Sequence, residues 1–272
     1  MKIHELIKSE NTDEMYERWA AYREELTGHI IASFADMGME DKPTLAIWGA
    51  GGCIDINLKE LVKYFKLVLI DCDKYKVIKA MNRYGLKEYE AVAADLYFYD
   101  IPIERYEDYE ELLGNGAEPK DVHSFMAEVL HEAVSTDMGI LPTFDYSVAV
   151  GLASQLNARA AALLYLYQEN YSKEILDEFI EHIHIMDREG VRRLWEIVNK
   201  TTKKKILWGY EAKILETNRD LNIEANDILK KNIAEALEKG VYIREESVKG
   251  MKWPFMEGKS YEMDVEIVGV RK

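Results

Sequence analysis

Apolar side chains recur along this chain at two alternating periods, one helical and one extended. Met15, Trp19, Tyr22, Leu26, Ile30, Phe34 and Met37 fall three or four residues apart and predict one continuous helix over 14–37, ahead of the first strand. Pro43 and Thr44 break that period, and Leu45 to Trp48 is a short apolar run ending in Gly49, Gly51 and Gly52. Such a run reads as a buried strand entering a tight turn. Asn57 stands three residues before Glu60 and opens a helix near 58 that carries Leu58, Leu61, Val62 and Phe65 on one face. Leu67 to Ile70 predicts a second strand, Val77, Ile78 and Met81 a helix, and Ala91 to Ala94 a third, weaker strand.

Helices are expected near 104–113 and 120–135, separated by Gly114-Asn115-Gly116, with strand four at Phe144 to Val150. From Asn157 to about Lys200 the pattern is helical, divided near Ser172 and Asp187, which both read as N-caps. Lys205 to Tyr210 predicts strand five, and Ile223 to Lys239 a helix stopped by Gly240. Val241 to Arg244 is a further strand. Tyr261 to Val270 alternates almost strictly, which suits an antiparallel last strand with a hairpin partner near 250–256. The order strand, turn, helix, strand predicts an α/β protein with a doubly wound, seven-stranded, mostly parallel sheet and an antiparallel last strand. A helical extension over 1–42 precedes the main domain at 43–272, which carries a helical insertion at about 98–140.

Charge narrows the partners. Thirty-five basic against fifty acidic residues give a net charge of −15, a field that repels phosphate backbones and anionic lipid, so a nucleic-acid substrate is disfavoured. Lys203 to Lys205 precedes an apolar run and reads as a solvated strand start. The start of the chain lacks a signal-peptide core and no apolar run reaches the roughly 18 residues of a membrane span, so a cytoplasmic location and no membrane are expected. Cys53 and Cys72 read as small buried thiols. His182 and His184, two apart, do not share a helix face, and no metal is expected. Nothing in the pattern sets an oligomeric state.

The chemistry concentrates at three predicted strand ends. Gly49 and Gly51 let a ligand approach the backbone closely, while isoleucine at 54 replaces the last glycine of a dinucleotide fingerprint. Asp71 follows strand two about 20 residues on, where a carboxylate can accept from both ribose hydroxyls. Asp95 follows strand three and could accept from an exocyclic amine.

Glycine turn, ribose acid and adenine acid in this order resemble the class I S-adenosylmethionine-dependent methyltransferase superfamily over roughly residues 45–272. The resemblance implies a methyltransferase with S-adenosylmethionine as cofactor. It implies Gly49, Ala50, Gly51 and Asp55 at the methionine half, Asp71 and Cys72 at the ribose, and Asp95 with Leu96 at the adenine. Phe144 to Leu156 resembles the fourth-strand motif, with Val150 and Gly151 nearest the transferable methyl group. Ile47, where the family has an acid, and Cys53, where it has a third glycine, depart from the pattern. Methyl transfer depends chiefly on alignment, so no catalytic base is assigned. Tyr16, Trp19, Tyr22, Ser154 and Gln155 are the candidate acceptor residues, the leading helix being either a lid or a packing element. A small-molecule or basic protein acceptor fits the acidic charge. The alternatives are a non-catalytic adenosyl-ligand-binding or scaffold protein and an NAD-dependent oxidoreductase.

Overall fold

The structure, a computed structural model, describes residues 2–8, 12–35, 41–94, 98–135 and 142–271. Its sheet is built from β1 (Thr44–Trp48), β2 (Lys66–Ile70), β3 (Ala91–Ala94), β4 (Phe144–Val150), β5 (Thr202–Ile214), β7 (Tyr242–Met256) and β8 (Lys259–Val270), with the two-residue β6 (Arg219–Asp220) pairing only to β5. The path across it is β3-β2-β1-β4-β5-β8-β7. The first five pair in parallel, and β8 runs antiparallel to both β5 and β7. The strand order reverses between β1 and β4, the switch point at which doubly wound sheets open a crevice. β7 points the same way as β1–β5, so Trp253 to Met256 end at the edge where the parallel strands finish.

Helices cover both faces, which is why the central strands are continuous apolar runs. Alternate residues of β1 enter opposite cores: Ala46 and Trp48 join one cluster, Leu45 and Ile47 the other. On the first face lie α6 (Ile103–Gly114), α7 (Pro119–Ser135), α8 (Ala158–Leu166), α9 (Lys173–Thr201) and α10 (Glu224–Glu238). On the second lie α3 (Ala20–Phe34), α4 (Leu58–Leu61) and α5 (Lys74–Tyr84).

The leading segment contributes to both layers. α1 (Lys2–Lys8) buries Ile3 in the first core, and the Glu110 carboxylate accepts from the backbone N–H of Lys2 at 2.6 Å and of Ile3 at 3.0 Å. α2 (Thr12–Arg18) and α3 carry the predicted stripe to the second core. That stripe is two helical segments meeting at Trp19, with Trp19 N–H bonded to Met15 O and Arg23 N–H to Trp19 O through the joint. Met37, the last predicted stripe position, lies outside the described residues.

Further expectations are corrected. Asp187 does not divide a helix, because α9 runs unbroken for 29 residues from its Ser172 cap. The Asp187 carboxylate instead accepts from Asn157 Nδ2 at 2.8 Å, a lateral tie to the segment before α8. Cys72 is exposed while Cys53 is buried, so only one of the two thiols matches the buried reading. The strand expected at 241–244 extends to Met256 and takes in the hairpin partner expected near 250–256. Among the described residues no helix is long and apolar enough to cross a membrane.

Candidate functional site

A cleft of about 670 Å³ runs along the carboxyl edge of the sheet, within the size range of small-molecule sites. Its floor begins at the turn after β1. Gly49 has φ +69°, which favours glycine, and a Cβ there would meet Leu152 Cδ1 at 2.7 Å, so the Leu152 side chain would have to turn aside for any other residue. Gly51 (φ +47°) and Cys53 (φ +45°) continue the left-handed turn. Cys53 thus holds a conformation that glycine adopts without strain.

The turn is fastened by its neighbours. Ala50 N–H donates to Ile70 O at 3.0 Å, joining it to β2. Arg23 Nη1 donates to Tyr16 O at 2.7 Å and to Ile54 O at 3.0 Å, and its guanidinium lies 3.8 Å over the Tyr16 ring. The Tyr84 hydroxyl lies 3.0 Å from Cys53 O and 2.8 Å from Ile56 O. Asn57 caps α4 as expected, accepting from Glu60 N–H, while its own N–H donates to Thr27 Oγ1. Side chains of α3 and α5 therefore grip successive carbonyls of the segment leaving the glycines.

Asp71 stands across from the turn. Its Oδ2 accepts from Gly51 N–H and its Oδ1 from Asp73 N–H, both at 2.8 Å. The Cys72 thiol adds a weak bond to Oδ1 at 3.7 Å; a carboxylate has about four acceptor sites, so one stays free at Oδ2 and a second opens at Oδ1 when the thiol gives way. Asp73 caps α5, accepting from Lys76 N–H at 3.1 Å. Asp55 lines the cleft below the turn, and burial pushes its carboxyl up to about 6 against the pull of its own backbone bond and the nearby Arg23 charge. The Cys72 thiol, though it reaches solvent in the cleft, is pushed up to about 12 by desolvation against the cleft walls and by Asp71 and Asp100, which leaves little thiolate for nucleophilic work.

Of the positions read from sequence, the structure brings Gly49, Ala50, Gly51, Asp55, Asp71, Cys72, Val150, Gly151, Trp19 and Gln155 to this one cleft. Asp95 and Leu96 lie outside the described residues. Three candidate acceptor residues do not line it. Tyr22 is buried and stacks on Trp253 with ring centroids 6.2 Å apart, Tyr16 packs under Arg23, and Ser154 donates to Glu211 Oε1 at 2.8 Å. Within the 98–140 insertion, Phe98 to Ile101 and Tyr106 reach the cleft, and no other described residue of it does.

Sequence reasoning missed the far wall. Trp253, Phe255 and Met256 from the end of β7 line the cleft together with Met15 and Trp19. Trp253 meets Trp19 edge-on at 5.0 Å and Phe255 at 5.0 Å. The indole N–H groups of Trp19 and Trp253 and the Tyr22 hydroxyl are buried without a partner among the described residues. Arg159 and Asp100 were missed as well, at the end where the cleft passes β2. His182 lies against His123, ring centroids 4.3 Å apart, and no group of three metal-ligating side chains occurs among the described residues.

Fold and cleft define a doubly wound α/β protein with a large cleft across its strand ends. No protein-family model and no curated protein matches the chain. Solved structures that resemble it include several methyltransferases. The N-methyltransferase NodS from Bradyrhizobium japonicum WM9, in complex with S-adenosylhomocysteine, is 10% identical, with 96% of this chain and 87% of that one covered at a TM-score of 0.41. The magnesium protoporphyrin IX methyltransferase ChlM from Synechocystis PCC 6803, with the same ligand bound, is 8% identical over 91% and 81% of the two chains, at 0.46. The precorrin-6y C5,15-methyltransferase from Geobacter metallireducens GS-15 is 12% identical over 91% and 87%, at 0.39.

Proposed function

We propose that this chain binds S-adenosylmethionine and transfers its methyl group to a small-molecule or basic protein acceptor. The observation that carries the reading is the order of groups across the sheet edge. Asp71 closes β2, the glycine turn closes β1 and Gly151 follows β4, three neighbouring strands opening into one cleft. An adenosyl ligand laid along that edge places its ribose on Asp71, which accepts one hydroxyl at Oδ2 and a second at Oδ1 in place of the weak Cys72 thiol bond. Its amino-acid end then falls on Gly49, Ala50 and Gly51, where Asp55 can pair with an ammonium group, and its sulfur points toward Val150 and Gly151. Cys72 flanks the ribose, and the reading assigns the adenine to Asp95 and Leu96.

The cofactor supplies an electrophilic methyl group when bound. The protein's part is to align the acceptor and exclude water. Trp19, Gln155, Trp253 and Phe255 wall the end beyond Gly151 and would do both. Because alignment suffices, none of them is given a proton-transfer role.

Calorimetry with S-adenosylhomocysteine should show one site per chain. A titration at millimolar ligand that shows no heat and no change in tryptophan fluorescence, with circular dichroism of folded protein, would sink the reading.

A further inference from the structure

Beyond Gly151 the sheet edge holds a carboxylate that no part of the cofactor reading uses. Glu211 sits near the end of β5 and is 2% exposed. Ser154 Oγ–H donates to its Oε1 at 2.8 Å and Asn226 Nδ2–H to its Oε2 at 2.9 Å. Both oxygens therefore act as acceptors, the arrangement that suits an ionised group. Among the described residues it forms no ion pair. Lys230 on α10 acts on it from a distance, and Tyr22 on α3 feels both its charge and that of Asp55. A buried charge without a counter-ion is costly, and burial accordingly pushes the Glu211 carboxyl above the usual range despite its hydrogen bonds and Lys230.

The space next to this carboxylate has been kept open. Gly151 has φ +62°, and a Cβ built there would lie 3.6 Å from Glu211 Oε1 and 3.8 Å from Trp253 Cη2. Carboxylate and indole ring thus converge on one glycine that lines the cleft, at the strand end toward which the sulfur of an adenosyl ligand points. A negative charge and an aromatic ring on the same spot favour a cation.

We propose that Glu211 and Trp253 form a cation subsite at Gly151 that makes the protein hold the positively charged sulfonium form of the cofactor more tightly than its neutral thioether. The inference rests on the cofactor reading above. Its consequence is directional: the charged reactant is retained, and once its methyl group and positive charge pass to the acceptor, the neutral product is held less tightly. Glu211 acts through the field at this point and touches no reacting atom, so it is a positioning residue.

The test compares two ligands that differ by that charge. Wild-type protein should bind S-adenosylmethionine more tightly than S-adenosylhomocysteine, and Glu211→Gln should shrink the ratio of the two affinities about tenfold. Asp71→Asn serves as the control, weakening both ligands by like factors and leaving the ratio unmoved. A folded Glu211→Gln protein with the wild-type ratio overturns the proposal. Should that variant fail to fold, wild-type calorimetry across the acidic to neutral range, in two buffers of different ionisation enthalpy at each pH, decides. S-adenosylmethionine should release more protons than S-adenosylhomocysteine as its charge favours ionised Glu211, whereas Asp55, meeting the same ammonium group in both, contributes equally. Equal proton release overturns the proposal. Failure of the wild-type protein to bind either ligand overturns the cofactor reading itself.

Discussion

The two ends of the cleft are built by opposite means. At the glycine turn the chain's own polar groups are occupied: the carbonyls of Ile54, Cys53 and Ile56 meet Arg23 and Tyr84, and Asp71 meets Gly51 and Asp73. At the aromatic end the reverse holds, since the Trp19 and Trp253 indoles and the Tyr22 hydroxyl have no partner among the described residues. The first end is preorganised by hydrogen bonds, and the second is held by ring packing. Site geometry and fold stability should therefore respond to different substitutions.

The sharpest separation is expected from Trp253→Ala. Removing a buried ring packed on Trp19, Tyr22 and Phe255 should cost about 3–5 kcal/mol of stability in urea titrations. Affinity of the remaining folded protein for S-adenosylhomocysteine should fall less than its affinity for S-adenosylmethionine, because the ring is one side of the cation subsite beside Gly151. A collapse of affinity would mean the two ends are one cooperative unit. Asp71→Ala should do the converse, losing about 1.5–3 kcal/mol of ligand binding with a much smaller loss of stability. Its neighbour Asp73→Ala removes the α5 cap and should cost about 1 kcal/mol of stability with affinity unchanged. Equal affinity losses at the two positions would place the ribose elsewhere.

Asp55 gives the finest discrimination. Its folded pKa of about 6 lies above the ordinary value near 4, so the folded chain takes up this proton before the unfolded chain does. The penalty of the buried charge is full above pH 6 and fades as pH falls from 6 toward 4. Relative to Asp55→Asn, wild-type protein without ligand should gain about 1–2 kcal/mol between pH 7 and 4, a figure reduced for the group's access to the cleft. Ligand affinity should move the other way, rising from pH 5 to 7 as the carboxylate becomes available to an ammonium group. Parallel stability profiles for the two proteins would show that Asp55 is ordinary and solvated.

The same contrast explains what was legible in the sequence. β1 to β3, the glycine turn and Asp71 are local signals, each readable in a window of a few residues, and the doubly wound fold follows from their order. The aromatic wall is not local: Trp253 lies more than 200 residues after Trp19, and only the direction of β7, fixed by its pairing with β8, brings the two together. Glu211 carries no motif at all, its significance arising from Gly151 one strand away. Asp187 misled for a related reason. An aspartate in a helical run reads as a cap until its partner, Asn157, is known.

The position of β8 has a consequence for how the sheet is assembled. It is the latest of the sheet strands in chain order, yet it lies between β5 and β7. During synthesis β5 must wait for it with a row of backbone donors and acceptors unpaired, on a strand already apolar at Ile206 to Trp208. Such an edge is a template for pairing between nascent chains. A chain ending before residue 259 would leave β5 as an open edge and β7 without its partner strand, and premature termination there should yield aggregates rather than a smaller folded protein.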